Sequence, residues 1–179
     1  MLLIDIPINP EGWDEVKEEF VPAEVKTLSL EHSLVSLSKW ESKWNKPFLS
    51  KDEKTIEQTL DYIQCMTITQ NIDPMVYRFL TDENIRDIND YIDAPMTATT
   101  VSDKGSTSRE IITSEIIYYW MISLNIPMEC QKWHLNRLLT LIRVCNVKNA
   151  PAKKMSRKEI MNRNAALNAA RRKKLNSKG

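Results

Sequence analysis

The spacing of hydrophobic residues changes near residue 31. Before it, Leu2-Leu3-Ile4-Asp5-Ile6-Pro7-Ile8 reads as a short strand ended by Pro7 or Pro10. Val25-Lys26-Thr27-Leu28-Ser29-Leu30 alternates at period two, as a half-buried strand does. A charged stretch, Asp14 to Phe20, lies between them. The pattern predicts an N-terminal β-ribbon of two or three strands over residues 1–30. From Glu31 the period is helical. Leu34, Leu37, Trp40 and Trp44 recur at spacings of three and four, an amphipathic helix that stops before Pro47. Ser50 or Asp52 can cap a second helix, with Ile56, Leu60, Ile63 and Met66 as its stripe and an end near Gln70. Asp73 and Pro74 form a cap and first-position pair for a short helix through Leu80. Thr81 caps another, with Ile85, Ile88 and Ile92 on one face.

Asp93 to Arg109 is a polar loop of 17 residues. Loops of this length are mobile or functional. Glu110 to Leu124 is then apolar almost all round, at Ile111, Ile112, Ile116, Ile117, Tyr119, Trp120, Met121 and Ile122. All-round hydrophobicity predicts a central core helix. Pro127 can start a partner helix over Met128 to Val144, so the two form a tight antiparallel hairpin. Asn146 to Lys154 is a breaker containing Pro151. Ser156 with Glu159 makes a capping box for a last helix from Arg157, rich in Ala165, Ala166, Ala169 and Ala170. That helix is marginal alone. The expected fold class is mainly α with a small N-terminal β-ribbon, an α+β chain. The ribbon of residues 1–30 packs on a helical body of residues 31–147. A basic, partly helical extension follows over residues 148–179.

Charge sharpens this division. Residues 148–179 hold 11 of the 25 Lys and Arg but only one of the 24 acids, Glu159, and so carry about +10. The rest carries about −9, and the net +1 conceals two opposed parts. Such asymmetry points to a partner rather than to a small substrate. The cationic residues are a solvated tail, a phosphate-binding arm, or a contact for an acidic protein helix. The acidic body counts against nucleic acid, since it repels phosphate.

Composition removes other classes. Only three glycines occur, too few for a loop that cradles phosphate through its backbone N–H groups. No apolar run approaches the roughly 18–20 residues that span a bilayer. The start meets Asp5 without a basic region before it, unlike a secretion signal, so a cytosolic protein without membrane contact is expected. Cys65, Cys130 and Cys145 are odd in number and lack paired spacing, which reads as reduced packing thiols. Cys130 and His134 stand one helical turn apart, but zinc requires about four ligands, and His32 and Cys145 are not spaced as a pair. Nor does a third group orient them as nucleophile and base. Carboxylates such as Asp87 with Asp90, or Glu18 with Glu19, read as solvated charge. No catalytic residue, metal or cofactor is expected. Trp40 and Trp44, near Lys39, Lys43 and Lys46, suit either a core or a stacking surface.

Two segments carry a resemblance. Ser33–Leu49, "SLVSLSKWESKWNKPFL", and Glu115–Lys174, which opens "EIIYYWMISLNIPMECQKWHLNRLL", together cover a little over two-fifths of the chain. They resemble small proteins encoded in the tail-morphogenesis region of tailed bacteriophages and prophages, similar to the tail assembly chaperones made just before the tape measure protein. The resemblance implies a largely helical, often self-associating protein that coats the helical tape measure in the host bacterial cytoplasm. It brings no catalytic residues. Some such proteins come in a short and a frameshift-extended form. On this reading Trp40, Trp44, Trp120 and Trp133 are expected in the core or a client groove. Arg157, Arg163, Arg171, Arg172, Lys173 and Lys174 are the expected partner contacts of the tail. The alternatives are a structural component of the virion, at the neck, tail terminus or baseplate, and a nucleic-acid-binding protein using the basic helix.

Overall fold

The computed structural model describes residues 1–9, 12–14, 19–21, 24–100, 111–150 and 156–176. It is mainly helical with a small antiparallel N-terminal sheet, an α+β fold. Strand β1 (Leu2–Asn9) is followed by the short strands β2 (Gly12–Asp14) and β3 (Glu19–Val21), which pair with each other. Strand β4 (Glu24–Leu30) returns along β1, with Leu2 opposite Leu30 and Ile4 opposite Leu28. Among the described residues the ribbon is the two-stranded β1–β4 pair, as expected, and β2 and β3 form a second, separate pair. Alternation puts Ile4, Ile6, Leu28 and Leu30 on the buried face, while Thr27 donates to Asp5 Oδ1 (2.6 Å) on the other.

Helix α1 (Leu34–Trp44) begins at Ser33, whose hydroxyl accepts the Ser36 N–H, and ends at Asn45 in the left-handed conformation that asparagine tolerates. Helix α2 (Ile56–Met66) is capped by Thr55, paired reciprocally with Gln58, and not by Ser50 or Asp52. Its first residue, Ile56, is 82% exposed, so the buried stripe is Tyr62, Ile63 and Met66. It ends at Met66, short of Gln70, because the chain then pairs with β4: Glu31 N–H donates to Met66 O (2.9 Å) and Ile68 N–H to Ser29 O (2.8 Å). Asp73 caps a 3₁₀ turn over Pro74–Phe79, and Thr81 caps α3 (Asp82–Asp93), which buries Ile88 and Tyr91.

Helix α4 (Ser114–Ser123) is shorter than the expected span and buries only Ser114, Ile117 and Met121. Its neighbour in close packing is α1. The continuous partner helix over Met128 to Val144 does not form. A 3₁₀ turn over Met128–Lys132 stops at Trp133, and α5 (Leu135–Asn149) starts afresh. Backbone pairing causes the break: Ser33 and His134 form an antiparallel bridge, and Leu135 N–H donates to His32 O at 2.7 Å. In place of a tight hairpin of two continuous helices, α4 and α5 are joined by the 3₁₀ turn and contribute to one cluster with α1.

Two hydrophobic clusters result. The first gathers Ile4, Ile6, Leu28, Leu30, Trp40, Tyr62, Ile63, Met66 and Ile88 beneath the ribbon. The second joins Leu34 and Leu37 of α1 with Ile117, Met121, Leu135, Leu138 and Ile142. These belong to one compact unit, Met1–Val147, and the second unit is Lys148–Gly179. In the latter, α6 (Arg157–Leu175) opens on the expected capping box: Ser156 Oγ accepts the Glu159 N–H (3.2 Å) and Glu159 accepts the Ser156 N–H (2.7 Å). No side chain of α6 is buried. Of the expected 17-residue loop, residues 101–109 lie outside the described residues, as does much of the breaker before Ser156.

Candidate functional site

The four tryptophans proposed from the sequence do not form one groove. Trp40 is core: it is 1% exposed, its indole N–H donates to Gln58 O (2.9 Å), and Phe48 meets it edge-on. Trp44 lies beside it, half-buried, and donates to Asp61 Oδ2 at 2.8 Å. Lys43 pairs with the same carboxylate, a hydrogen bond that raises its ammonium pKa. These groups edge a cleft of about 320 Å³ with Leu60, Met75 and Arg78. Trp133 is half-buried, and the Arg137 guanidinium covers its ring at 4.1 Å. Trp120 is half-buried on the flank of α4. A stacking surface for bases would need free aromatic faces, and the cations nearest Trp44 and Trp133 are those of the chain itself.

The buried polar groups serve the fold. His134 Nε2 lies 2.9 Å from the Tyr91 carbonyl, which only accepts, so Nε2 carries the proton; Nδ1 then accepts the Asn136 N–H. His32 stands edge-to-face against it, centroids 5.1 Å apart, with its Nδ1 2.6 Å from the Tyr62 hydroxyl. Burial, helped by the His134 charge, pushes the His32 pKa down to about 4, and burial lowers that of His134. Burial also raises the Tyr62 phenol and the Cys65 thiol. Cys130 and His134, placed on one helix by the sequence reading, are split between the 3₁₀ turn and the residue before α5. Among the described residues no group of three His, Cys, Asp or Glu side chains is placed to hold a metal. No described helix is long and apolar enough to cross a membrane.

What the sequence reading missed is the outer side of α4. Glu115, Tyr119 and Ile122 follow each other at spacings of four and three, and all three face solvent. Tyr119 and Ile122 are each 67% exposed, and Ile111 and Met128 lie exposed before and after the helix. Ile116 and Trp120 border the stripe, half-buried. The signal was present as all-round hydrophobicity, but it marks two apolar faces, one against α1 and one outward. The remaining candidates, Arg157, Arg163, Arg171, Arg172, Lys173 and Lys174, all lie exposed on α6. The last three sit in its final turn, where the helix dipole favours cations. Compared with family models, curated proteins and solved structures, the chain matches none.

Proposed function

We propose that this protein is a non-enzymatic assembly protein of a bacteriophage tail, a chaperone that holds the tape measure protein during tail morphogenesis. The observation that carries this reading is the outward apolar face of α4. An amphipathic helical client recognises such a surface through anchors one turn apart, as Tyr119 and Ile122 with Ile111 and Met128 provide. Exposed apolar side chains grouped together mark interaction sites, and tyrosine supplies contact area at low entropic cost. The resemblance of Ser33–Leu49 and Glu115–Lys174 to tail-morphogenesis proteins supports the choice of client, and the second segment contains Tyr119, Ile122 and Met128. Nδ1 of His32 and both ring nitrogens of His134 are committed to structure, which suits a binding role.

The test is a tagged pull-down from infected cells beside mass spectrometry of purified particles. The tape measure protein is expected to co-purify, and the chain to be absent from particles. Its presence in particles at a fixed copy number would instead make it a structural subunit of the virion.

A further inference from the structure

Helix α6 distributes its charge in a way that a flat acidic surface does not require. Arg157 and Lys158 occupy its first turn, and Arg163 follows. Arg171, Arg172, Lys173 and Lys174 close its other end. The seven residues between Arg163 and Arg171, Asn164-Ala165-Ala166-Leu167-Asn168-Ala169-Ala170, carry no charge. At 1.5 Å rise per residue, Arg163 and Arg171 stand about 12 Å apart along the axis. At 3.6 residues per turn, the four successive cations of residues 171–174 surround the axis. A helix adapted to one acidic face would gather its cations in a stripe at spacings of three and four. This one carries four of them around its circumference at its second end, two beside Glu159 in its first turn, and an uncharged, alanine-rich stretch between.

B-form DNA is a suitable target. Its major groove, about 12 Å wide, admits an α-helix along its length and is bounded on both sides by phosphates that cations at either end of the helix can reach. The alanines keep the middle of α6 thin. Asn164, Asn168 and Arg171, at i, i+4 and i+7, share one face and are exposed. Asparagine can pair with the edge of adenine and arginine with that of guanine. A-form RNA, whose major groove is deep and narrow, fits poorly. The body's charge of about −9 opposes phosphate and restricts such contact to this unit.

We propose that α6 binds double-stranded DNA by lying in the major groove, with its two cationic ends on the flanking phosphates. This rests on α6 alone and is independent of the client face on α4. The full-length protein would be titrated by fluorescence anisotropy into labelled duplex DNA. Single-stranded DNA, duplex RNA and polyglutamate serve as comparisons. Binding is expected to weaken by about 10³-fold between about 50 and about 200 mM salt, as for some six phosphate contacts. Joint Arg172→Gln, Lys173→Gln and Lys174→Gln should make that salt dependence shallower by about three counterions. Ala166→Pro keeps every charge but breaks the helix, and should weaken duplex binding at least about tenfold. The proposal is overturned if Ala166→Pro binds duplex as tightly as the native chain, which would leave only a loose polycation. Polyglutamate binding more tightly than duplex would overturn it in favour of an acidic protein partner. A flat salt response, or equal affinity for single strands, would also sink it.

Discussion

The Glu41 carboxylate on α1 accepts the backbone N–H of Ser114, the first residue of α4, at 2.7 Å. Thr113, at the cap position of α4, makes no side-chain cap bond, so the cap comes from 73 residues away. The other carboxylate oxygen accepts the Phe48 N–H at 2.8 Å, closing the turn after α1. Replacing Glu41 by Ala leaves two backbone donors without partners and should cost roughly 3 kcal/mol. Glu41→Gln keeps one acceptor and should cost less. Urea melts of the two variants check this order.

The His32–His134 pair should make stability fall in acid. Unfolded, His32 takes up its proton near pH 6.5; folded, it resists until about pH 4. The unfolded chain therefore binds more protons across that window, and stability drops as the pH falls through it. His32 alone accounts for up to about 3 kcal/mol by pH 4. Melting temperatures at pH 7 and pH 4.5 should differ more for the native chain than for His32→Gln. Equal differences would remove His32 from the account.

Tyr119→Asp combined with Ile122→Asp should leave stability within about 0.5 kcal/mol, because both side chains are exposed. Client capture should fall at least tenfold, by about 1.4 kcal/mol or more. A pull-down and a thermal melt on the same variant separate the two effects. Undiminished capture would move the client site off α4.

Trp40 and Trp133 should behave differently despite their shared residue type. Trp40→Ala removes a fully buried ring and the indole N–H that the Gln58 carbonyl accepts, at about 3–5 kcal/mol. Trp133→Ala should cost clearly less, since half-burial leaves less area to lose. Denaturant midpoints for the pair decide it.

Truncation after Asn149 removes α6, which has no buried side chain, and so should expose no core. The melting temperature should change by less than about 2 °C, while helical circular dichroism decreases. A large drop would mean that α6 supports the body.

Local signals were legible in the sequence. Asp73, Thr81 and Ser156 all cap where the sequence placed them, because such bonds reach only two or three positions along the chain. The β1–β4 pairing followed from alternation and an apolar face. What was not legible depends on distant partners. The break before Leu135 comes from His32 and Ser33, a hundred residues earlier. Glu41 reads as part of a polar helix face, yet it is buried because α4 brings its bare N-terminus there. The exposed apolar face of α4 was hidden by the same pattern that would announce a core helix, since composition cannot say which side a neighbour covers. Trp40 and Trp44 share a spacing, and only the packing of α2 and Phe48 separates their burial.

Helix α1 divides the body as a partition divides two rooms, with Trp40 in one cluster and Leu34 and Leu37 in the other. Neither cluster can open without stripping a face of the same helix. The two halves must therefore lose their order together, in one cooperative transition. The amides of α1 should then exchange with solvent only through global unfolding, more slowly than those of the helices it separates.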